Sequence, residues 1–392
     1  MNVLFVSHCD FHGNSAFHVL AVANELFVRG HSPAICVPDN ARTIDELGRP
    51  RYPMIGFAEA EQAPLVFPDG RGPDLVHAFT PREHVRKLSE TVVGRYGCPY
   101  VVHLEDNEAV ILADAIGGDV YERLDALPLA ESDSIVGPRR THPVRATAFL
   151  EGAGGITVVI DTLLELKPRS VPGVVFWPGF DRAVLDLPAD LSAIRAELRI
   201  APDDFVLVYT GNVHKSNLEE IRTLYSAVGA LRDAGHRVIL VKTGSNHVDM
   251  KWVRKSGLRR AVRDLGFVRR DRVWEVLAIA DALVQPGRSN LFNDYRFPSK
   301  LPDFLASGRP VILPATNIGR YLKDEVNALL LENGEAEEIF DAVQRLIADP
   351  QLGERLGANG RGFALRELSW SRNIEPIVAL YENVGAGTAL PS

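Results

Sequence analysis

RFPSKLPDFLASGRPVILPA, residues 296–315, is the stretch on which the reading of the fold turns. A short helix opens beside Pro298 with Ser299 as its predicted cap, and Gly308 and Pro310 end it. The apolar run that follows, PVILPA (310–315), has strand length. Helix then buried strand is the step from which parallel α/β sheets are built. The helix start would leave the first-turn N–H groups of Lys300 and Leu301 facing a ligand, where the dipole favours an anion. Pro302 gives up only a donor that has no intrahelical partner anyway. Lys300 and Asp303 are three apart and share one face. A phosphate on the lysine and amides, with a sugar hydroxyl pair on the aspartate, would suit a nucleotide. An Asp303 that merely complements the dipole beside a solvated Lys300 is the other reading the spacing allows.

Outward from this stretch, short apolar runs alternate with helical patterns along almost the whole chain, which predicts an α/β protein with parallel sheets. The first half supplies VLFVSH (3–8), AICV (34–37), DLVHAF (74–79), YVVHLE (100–105), GITVVI (155–160) and GVVFWP (173–178). Between the first two lies NSAFHVLAVANELFVRG, a helix with Asn14 or Ser15 as cap and Gly30 as stop. The second half supplies FVLVYTG (205–211), RVILVKTG (237–244), RAVRDLGFV (260–268), ADALVQPG (280–287), RPVILPA (309–315) and ALLLEN (328–333). Helices are expected near 190–199, 217–234, 271–279, 299–307, 319–323 and 335–348, with a last one at 374–384. Two doubly wound, Rossmann-like domains follow: 1–178 and 183–370, joined by PGFDR (178–182), with 371–392 as a C-terminal helical segment. Ligands in such sheets bind beyond the carboxyl ends of the strands, so a cleft between two of them is the default site.

A chain of 392 residues exceeds one hydrophobic core, and 46% apolar with 24% charged residues describes a globular protein. A net charge of −8 argues against a general nucleic-acid binder. Three cysteines, Cys9, Cys36 and Cys98, show no metal-ligand spacing and fit a reducing, cytoplasmic setting. MNVLFVSHCD reads as a buried strand, not a signal peptide, and no apolar run reaches the roughly 20 residues a membrane span needs.

PSKLPDFLASGRPVI (298–312) resembles the nucleotide-binding segment PxKLxEYLAxGxPVV of the retaining glycosyltransferases of family 4, group 1, which have the GT-B fold. Four further segments resemble that family in its order: HCDFHGNSAFHVLAVANELFVRGH (8–31), WPGFDR (177–182), YTGNVHKSNLEEIRTL (209–224) and LGFVRRDRVWEVLAIADALVQPG (265–287). The resemblance implies that Asp303 binds the donor ribose and Lys215 the diphosphate, and that Gly13 lets a backbone approach the ligand. It further implies that Phe267 and Val268 hold the base and that His103 touches the transferred sugar. Gly211, Asn212 (where family members often have an arginine), Gly244, Pro298, Ser299, Lys300 and Leu301 complete the expected donor site. His12 and His18, from a group of histidines at strand ends and in the first loop, and Glu105 are the expected acceptor contacts, with a structural imidazole or a solvated charge as the plainer reading of each. The family's two acids stand eight positions apart, but counting back from Asp303 reaches Tyr295, with Asp294 one further. NDYRFPSK (293–300) is close to a family variant, so Asn293, Asp294 or Arg296 would take the sugar contacts. His103, Lys215 and Asp294 are thereby the expected catalytic residues.

The function this implies is transfer of a sugar from a nucleotide-diphosphate sugar to a saccharide, lipid-linked or small-molecule hydroxyl. It would proceed with retention and no metal, for polysaccharide, glycolipid or glycoconjugate synthesis. Glu105, Asp106 and Glu108 past one strand end are solvated loop charges in the plainer reading and acid/base equipment in the other. KWVRKSGLRRAVRDLGFVRRDR (251–272), with nine basic and two acidic residues, is a solvated helix face or a contact for the inner face of a membrane. A nucleotide-sugar epimerase or phosphorylase on the same fold, and a non-catalytic sugar-binding scaffold, are the rival readings.

Overall fold

The computed structural model describes residues 1–386 other than His12, Arg49, Ser256 and Gly257. By its contacts the chain divides into two units. The first comprises residues 1–178, 295–297 and the chain from Trp370 on; the second comprises 179–294 and 298–369.

The first unit is a seven-stranded parallel sheet of β1 (Asn2–Val6), β2 (Ser32–Val37), β3 (Met54–Gly56), β4 (Leu75–Phe79), β5 (Tyr100–Leu104), β6 (Gly155–Val158) and β7 (Gly173–Val175). Its order is β3-β2-β1-β4-β5-β6-β7. The runs are nearly unbroken in apolar residues because helices cover both faces, and all five residues of β1 and of β4 are buried. The second unit is a six-stranded parallel sheet of β8 (Phe205–Thr210), β9 (Val238–Thr243), β10 (Val262–Asp264), β11 (Ala282–Val284), β12 (Val311–Pro314) and β13 (Leu329–Leu331). Its order is β10-β9-β8-β11-β12-β13. The strand order reverses at β1/β4 and again at β8/β11, which places a crevice at the carboxyl end of each sheet.

Three local expectations are corrected. The helix Asn14–Val28 starts at Gly13 with no side-chain cap, because Ser15 spends its hydroxyl on Glu105 instead. Gly30 does close it, at φ +84, with the His31 N–H returning to Leu26. Ser299 is exposed and caps nothing, since Lys300 is the residue before the helix Leu301–Ala306. The run 260–268 is strand only over Val262–Asp264; Gly266 then turns at φ +62. Helices Glu108–Ile116, Gly118–Arg123, Leu129–Val136 and Pro143–Glu151 occupy a stretch without clear alternation, and Pro350–Glu367 adds another late in the chain.

The helix Glu375–Gly385 packs on the first sheet through a fit that needs glycine. A Cβ on Gly155 would come within 2.6 Å of Leu380, and one on Gly154 within 2.6 Å of Val384. Leu380 is fully buried there. Leu380→Ala is therefore expected to destabilise the first unit by about 2–5 kcal/mol, read by urea unfolding. A loss below about 0.5 kcal/mol would mean that the helix is not seated as described.

Candidate functional site

In the second unit the chain leaves β8 and β9 through two glycines that touch backbone to backbone. Gly211 has φ +146 and Gly244 φ +94, a region costly for side-chain-bearing residues. A Cβ on Gly244 would lie 2.4 Å from the Gly211 carbonyl carbon. One on Gly211 would lie 2.5 Å from Lys300 Nζ. The Lys300 ammonium is 4.1 Å from the centroid of the Tyr209 ring, over its face, and Tyr209 itself is buried. Asn212 joins the two loops, its Oδ1 accepting the Ser245 N–H at 2.8 Å while Val213 donates to Ser245 O at 2.9 Å.

Beneath them lies Lys242, fully buried in β9. Its Nζ donates to Gly244 O at 2.8 Å and lies 3.3 Å from Asp264 Oδ1. Burial pulls its pKa down, and Asp264 works against that. Asp264 also accepts from Gly266 N and Asn246 Nδ2. One buried ammonium thus fixes the turns after β9 and β10. The signal was present in RVILVKTG, since a lysine inside an apolar strand is almost never buried without a partner.

The structure brings Gly211, Asn212, Gly244 and Lys300 together at the carboxyl ends of β8 and β9. Leu301 is buried behind Lys300, its N–H on Pro298 O at 3.0 Å. Lys215 is exposed at the start of the turn Lys215–Asn217, next to a His214 ring stacked 4.6 Å from His247. Phe267 is 72% exposed, and Val268 half-buried. Asp303 Oδ1 accepts the Asp181 N–H at 2.7 Å, and Arg270 stands 3.9 Å from the other oxygen. Burial pushes its carboxyl up to about 7 against the pull of Arg270. Asp294 accepts from Ser289, Asn290 and Thr316, and Asn293 is buried with its amide on Glu220 and Arg288 O. Tyr295, Arg296 and Phe297 count with the first unit, where Arg296 acts electrostatically on Asp106.

In the first unit the polar residues gather past β1 and β5. Glu105 is 7% exposed; His18 Nδ1 is 2.9 Å from its Oε1, Ser15 donates to its Oε2, and His103 Nε2 is 3.7 Å away. Burial disfavours the charge, but the hydrogen bond and charge of His18 outweigh it and hold the carboxyl well below the usual range. Burial pushes His103 down to about 4 and His8 to about 3. His18 Nε2, His103 Nε2 and His8 Nδ1 are buried without a hydrogen-bond partner among the described residues, and a hydroxylated ligand would supply what they lack. Gly13 is half-exposed, and a Cβ there would meet the Cys9 sulfur at 2.4 Å, so packing alone accounts for its glycine. His12 lies outside the described residues. Among those residues, no three His, Cys, Asp or Glu side chains form a metal-ligand group, and no helix is long and apolar enough to cross a membrane.

Two parallel, Rossmann-like sheets with sites at their carboxyl ends define the GT-B fold. The same fold is seen in Anabaena HepE, solved with UDP and glucose, at TM-score 0.74 and 15% identity over 98% of this chain and 100% of that one. Residues 204–349 match the family described as Glycosyl transferases group 1, and that stretch holds Gly211, Gly244, Lys300 and Asp303. Among curated proteins, the D-inositol 3-phosphate glycosyltransferase of Actinosynnema mirum is 28% identical over 53% of this chain and 51% of its own length. The alpha-D-kanosaminyltransferase of Streptomyces kanamyceticus is 23% identical over 50% and 51%. The chain thus spans about half the length of these curated relatives.

Asp303 offers a pH test. An acid with a raised folded pKa keeps its proton in the folded state while the unfolded chain loses it, so stability falls between about pH 4 and 7 and then levels. Asn at 303 keeps an oxygen for the Asp181 N–H. Asp303→Asn should therefore gain on the order of 1–3 kcal/mol over wild type at pH 8, shrinking towards pH 4. A difference that does not change with pH would refute the raised carboxyl.

Proposed function

We propose that the chain is a glycosyltransferase moving a sugar from a nucleotide-diphosphate sugar to an acceptor hydroxyl, with retention and without a bound metal. The observation that carries this is the Lys300 ammonium pressed against Gly211, whose backbone in turn lies on Gly244, inside the segment that matches the family. Two side-chain-free turns let a diphosphate approach backbone amides, and a lysine held on an aromatic face adds a fixed positive charge. HepE, of the same fold, was solved with UDP and glucose, which supports a nucleotide-sugar donor. Lys215, one turn further, joins Lys300 in stabilising the departing diphosphate, and Asp303 takes the ribose hydroxyls. Such electrostatic stabilisation, with positioning, carries most of the rate.

The first unit binds the acceptor. Its buried imidazoles and Glu105 suit a neutral, hydroxyl-rich molecule, with His103 nearest the transferred sugar. Synthesis of a polysaccharide, glycolipid or glycoconjugate is the setting that fits.

Thermal shift against UDP, GDP, ADP and TDP, each with and without EDTA, tests the donor site. A ligand at 100 times its dissociation constant adds about 2.7 kcal/mol. One nucleotide should stabilise the wild type regardless of EDTA, and Lys300→Ala should weaken it by about 10- to 100-fold, as for loss of a charged hydrogen bond. If none stabilises the protein, the donor site is not here. An inverted anomer seen by NMR of the product would remove retention alone.

A further inference from the structure

A line of buried polar groups crosses the first sheet from the C-terminal helix to the acceptor site. The Tyr381 hydroxyl is 2.5 Å from His77 Nδ1, and His77 Nε2 is 3.0 Å from Thr157 Oγ1. Thr157 Oγ1 is 2.7 Å from His103 Nδ1, which leaves His103 Nε2 facing Glu105 Oε1 at 3.7 Å. His77, Thr157 and His103 are fully buried and Tyr381 is 1% exposed. β4, β5 and β6 are adjacent, with Phe79 registered on His103 and His103 on Thr157. Gly155 precedes Thr157 on the same face, so the bare backbone that seats Leu380 also brings Tyr381 to His77. The imidazoles are walled by aromatic rings: Phe79 lies 4.7 Å from His77 and 4.4 Å from His103, and Phe176 5.1 Å from His103.

Each link needs one proton. Thr157 could accept from both imidazoles only by stranding its own buried hydroxyl proton, for which no other acceptor is seen among the described residues; otherwise the line runs one way or the other. In one direction Tyr381 donates to His77 Nδ1, His77 Nε2–H to Thr157 and Thr157 to His103 Nδ1. His103 then carries its proton on Nε2, towards the Glu105 carboxylate. Reversed, the line starts at a His103 Nδ1–H and ends with His77 donating to the Tyr381 oxygen. That leaves the buried phenol proton without an acceptor and turns an imidazole lone pair on a carboxylate. Each direction leaves one buried donor without a hydrogen bond, His103 Nε2–H in the first and the phenol in the second. What separates them is that the first turns an N–H towards the Glu105 carboxylate 3.7 Å away and the second a lone pair, so the first direction wins.

We propose that Tyr381 is a positioning residue that, through His77 and Thr157, holds His103 in the Nε2–H form. Tyr381 touches no ligand; it sets which His103 nitrogen presents a donor on the acceptor side. Burial, which keeps His103 neutral, makes the choice of tautomer matter. The consequence for transfer rests on the proposed role of His103, whereas the tautomer itself does not.

The test is imidazole NMR on the full chain with ¹⁵N-labelled histidine at pH 7, without substrate, with His103 assigned by its absence in His103→Gln. The wild type should show a protonated Nε2 and an unprotonated Nδ1 at His103. Tyr381→Phe removes one proton and little volume, and should move the tautomer ratio towards Nδ1–H by about fivefold or more, the value of one hydrogen bond. Thr157→Val, which breaks the line next to His103, should do the same, and Thr157→Ser should restore the wild-type pattern. Thr157→Val also stands alone should Tyr381→Phe fail to fold. A wild type already in the Nδ1–H form, or a ratio unmoved by both substitutions, overturns the proposal. Nucleotide binding is read in a separate assay in the second unit, so either idea can fail without the other.

Discussion

Two backbones in contact govern the second unit's site. Because Gly244 lies on the Gly211 carbonyl, the loops after β8 and β9 are packed backbone to backbone, and neither position tolerates a side chain. The same contact places Lys300. Its ammonium fills the space a Cβ on Gly211 would take and rests on the Tyr209 ring from the strand below. Lys242 holds the arrangement from underneath, donating to the Gly244 carbonyl while Asp264 answers its charge and ties back to Gly266 and Asn246. A buried lysine is tolerated because its charge is met by a carboxylate and a carbonyl within hydrogen-bond reach. The site is rigid for reasons that come from the strands, not from the loops.

Burial is the largest single influence on each of the buried ionisable groups of the first unit, and their neighbours decide whether it prevails. Glu105 and Asp106 are adjacent in sequence, yet their acidities move in opposite directions. Burial works most strongly against the Glu105 charge, but the hydrogen bond from His18 together with the attraction of the His18, His103 and His8 imidazoles outweighs it. Asp106 loses solvent with two carboxylates, Glu108 and Glu105, near it, and is pushed up to about 7. Asp303 follows Asp106: desolvation dominates and Arg270 at 3.9 Å is too distant to cancel it. A carboxylate flanked by donors stays ionised as a hydrogen-bond acceptor; one flanked by other acids holds a proton near neutrality.

Much of this was legible in the sequence. Buried parallel strands announce themselves as unbroken apolar runs, so every strand from VLFVSH to ALLLEN could be placed except the half-buried edge strand β3, Met54–Gly56, and Gly30 could be read as a helix stop. The glycine at 211 and the lysine at 300 stood out by type and position. What stayed hidden depends on partners distant in the chain. Ser15 has the form of a helix cap but spends its hydroxyl on Glu105, and Ser299 is displaced as cap by Lys300. The polar line from Tyr381 to His103 joins positions up to 304 residues apart, and each of its members alone is an ordinary strand or helix residue. The helices of 108–151 lack a strong apolar stripe because Leu112, Leu124 and Val136 close a small satellite core of their own.

The segment 293–300 shows how one motif serves several masters. Asn293 and Asp294 are engaged by Glu220, Ser289, Asn290 and Thr316 in the second unit, the next three residues count with the first, and Pro298 to Lys300 return to the second. Both oxygens of Asp294 already accept hydrogen bonds, so a sugar reaching it would compete with the fold of its own loop. The proposed donor contacts are therefore cationic, Lys300 and Lys215, and the proposed acceptor contacts imidazoles, His18 and His103. Cations at a departing diphosphate stabilise charge that grows in the transition state, whereas an acid whose acceptors are already occupied has less to add there. On the proposed function, charge fixed beside the Gly211–Gly244 contact carries the part that a second acid of the familiar pair would otherwise play.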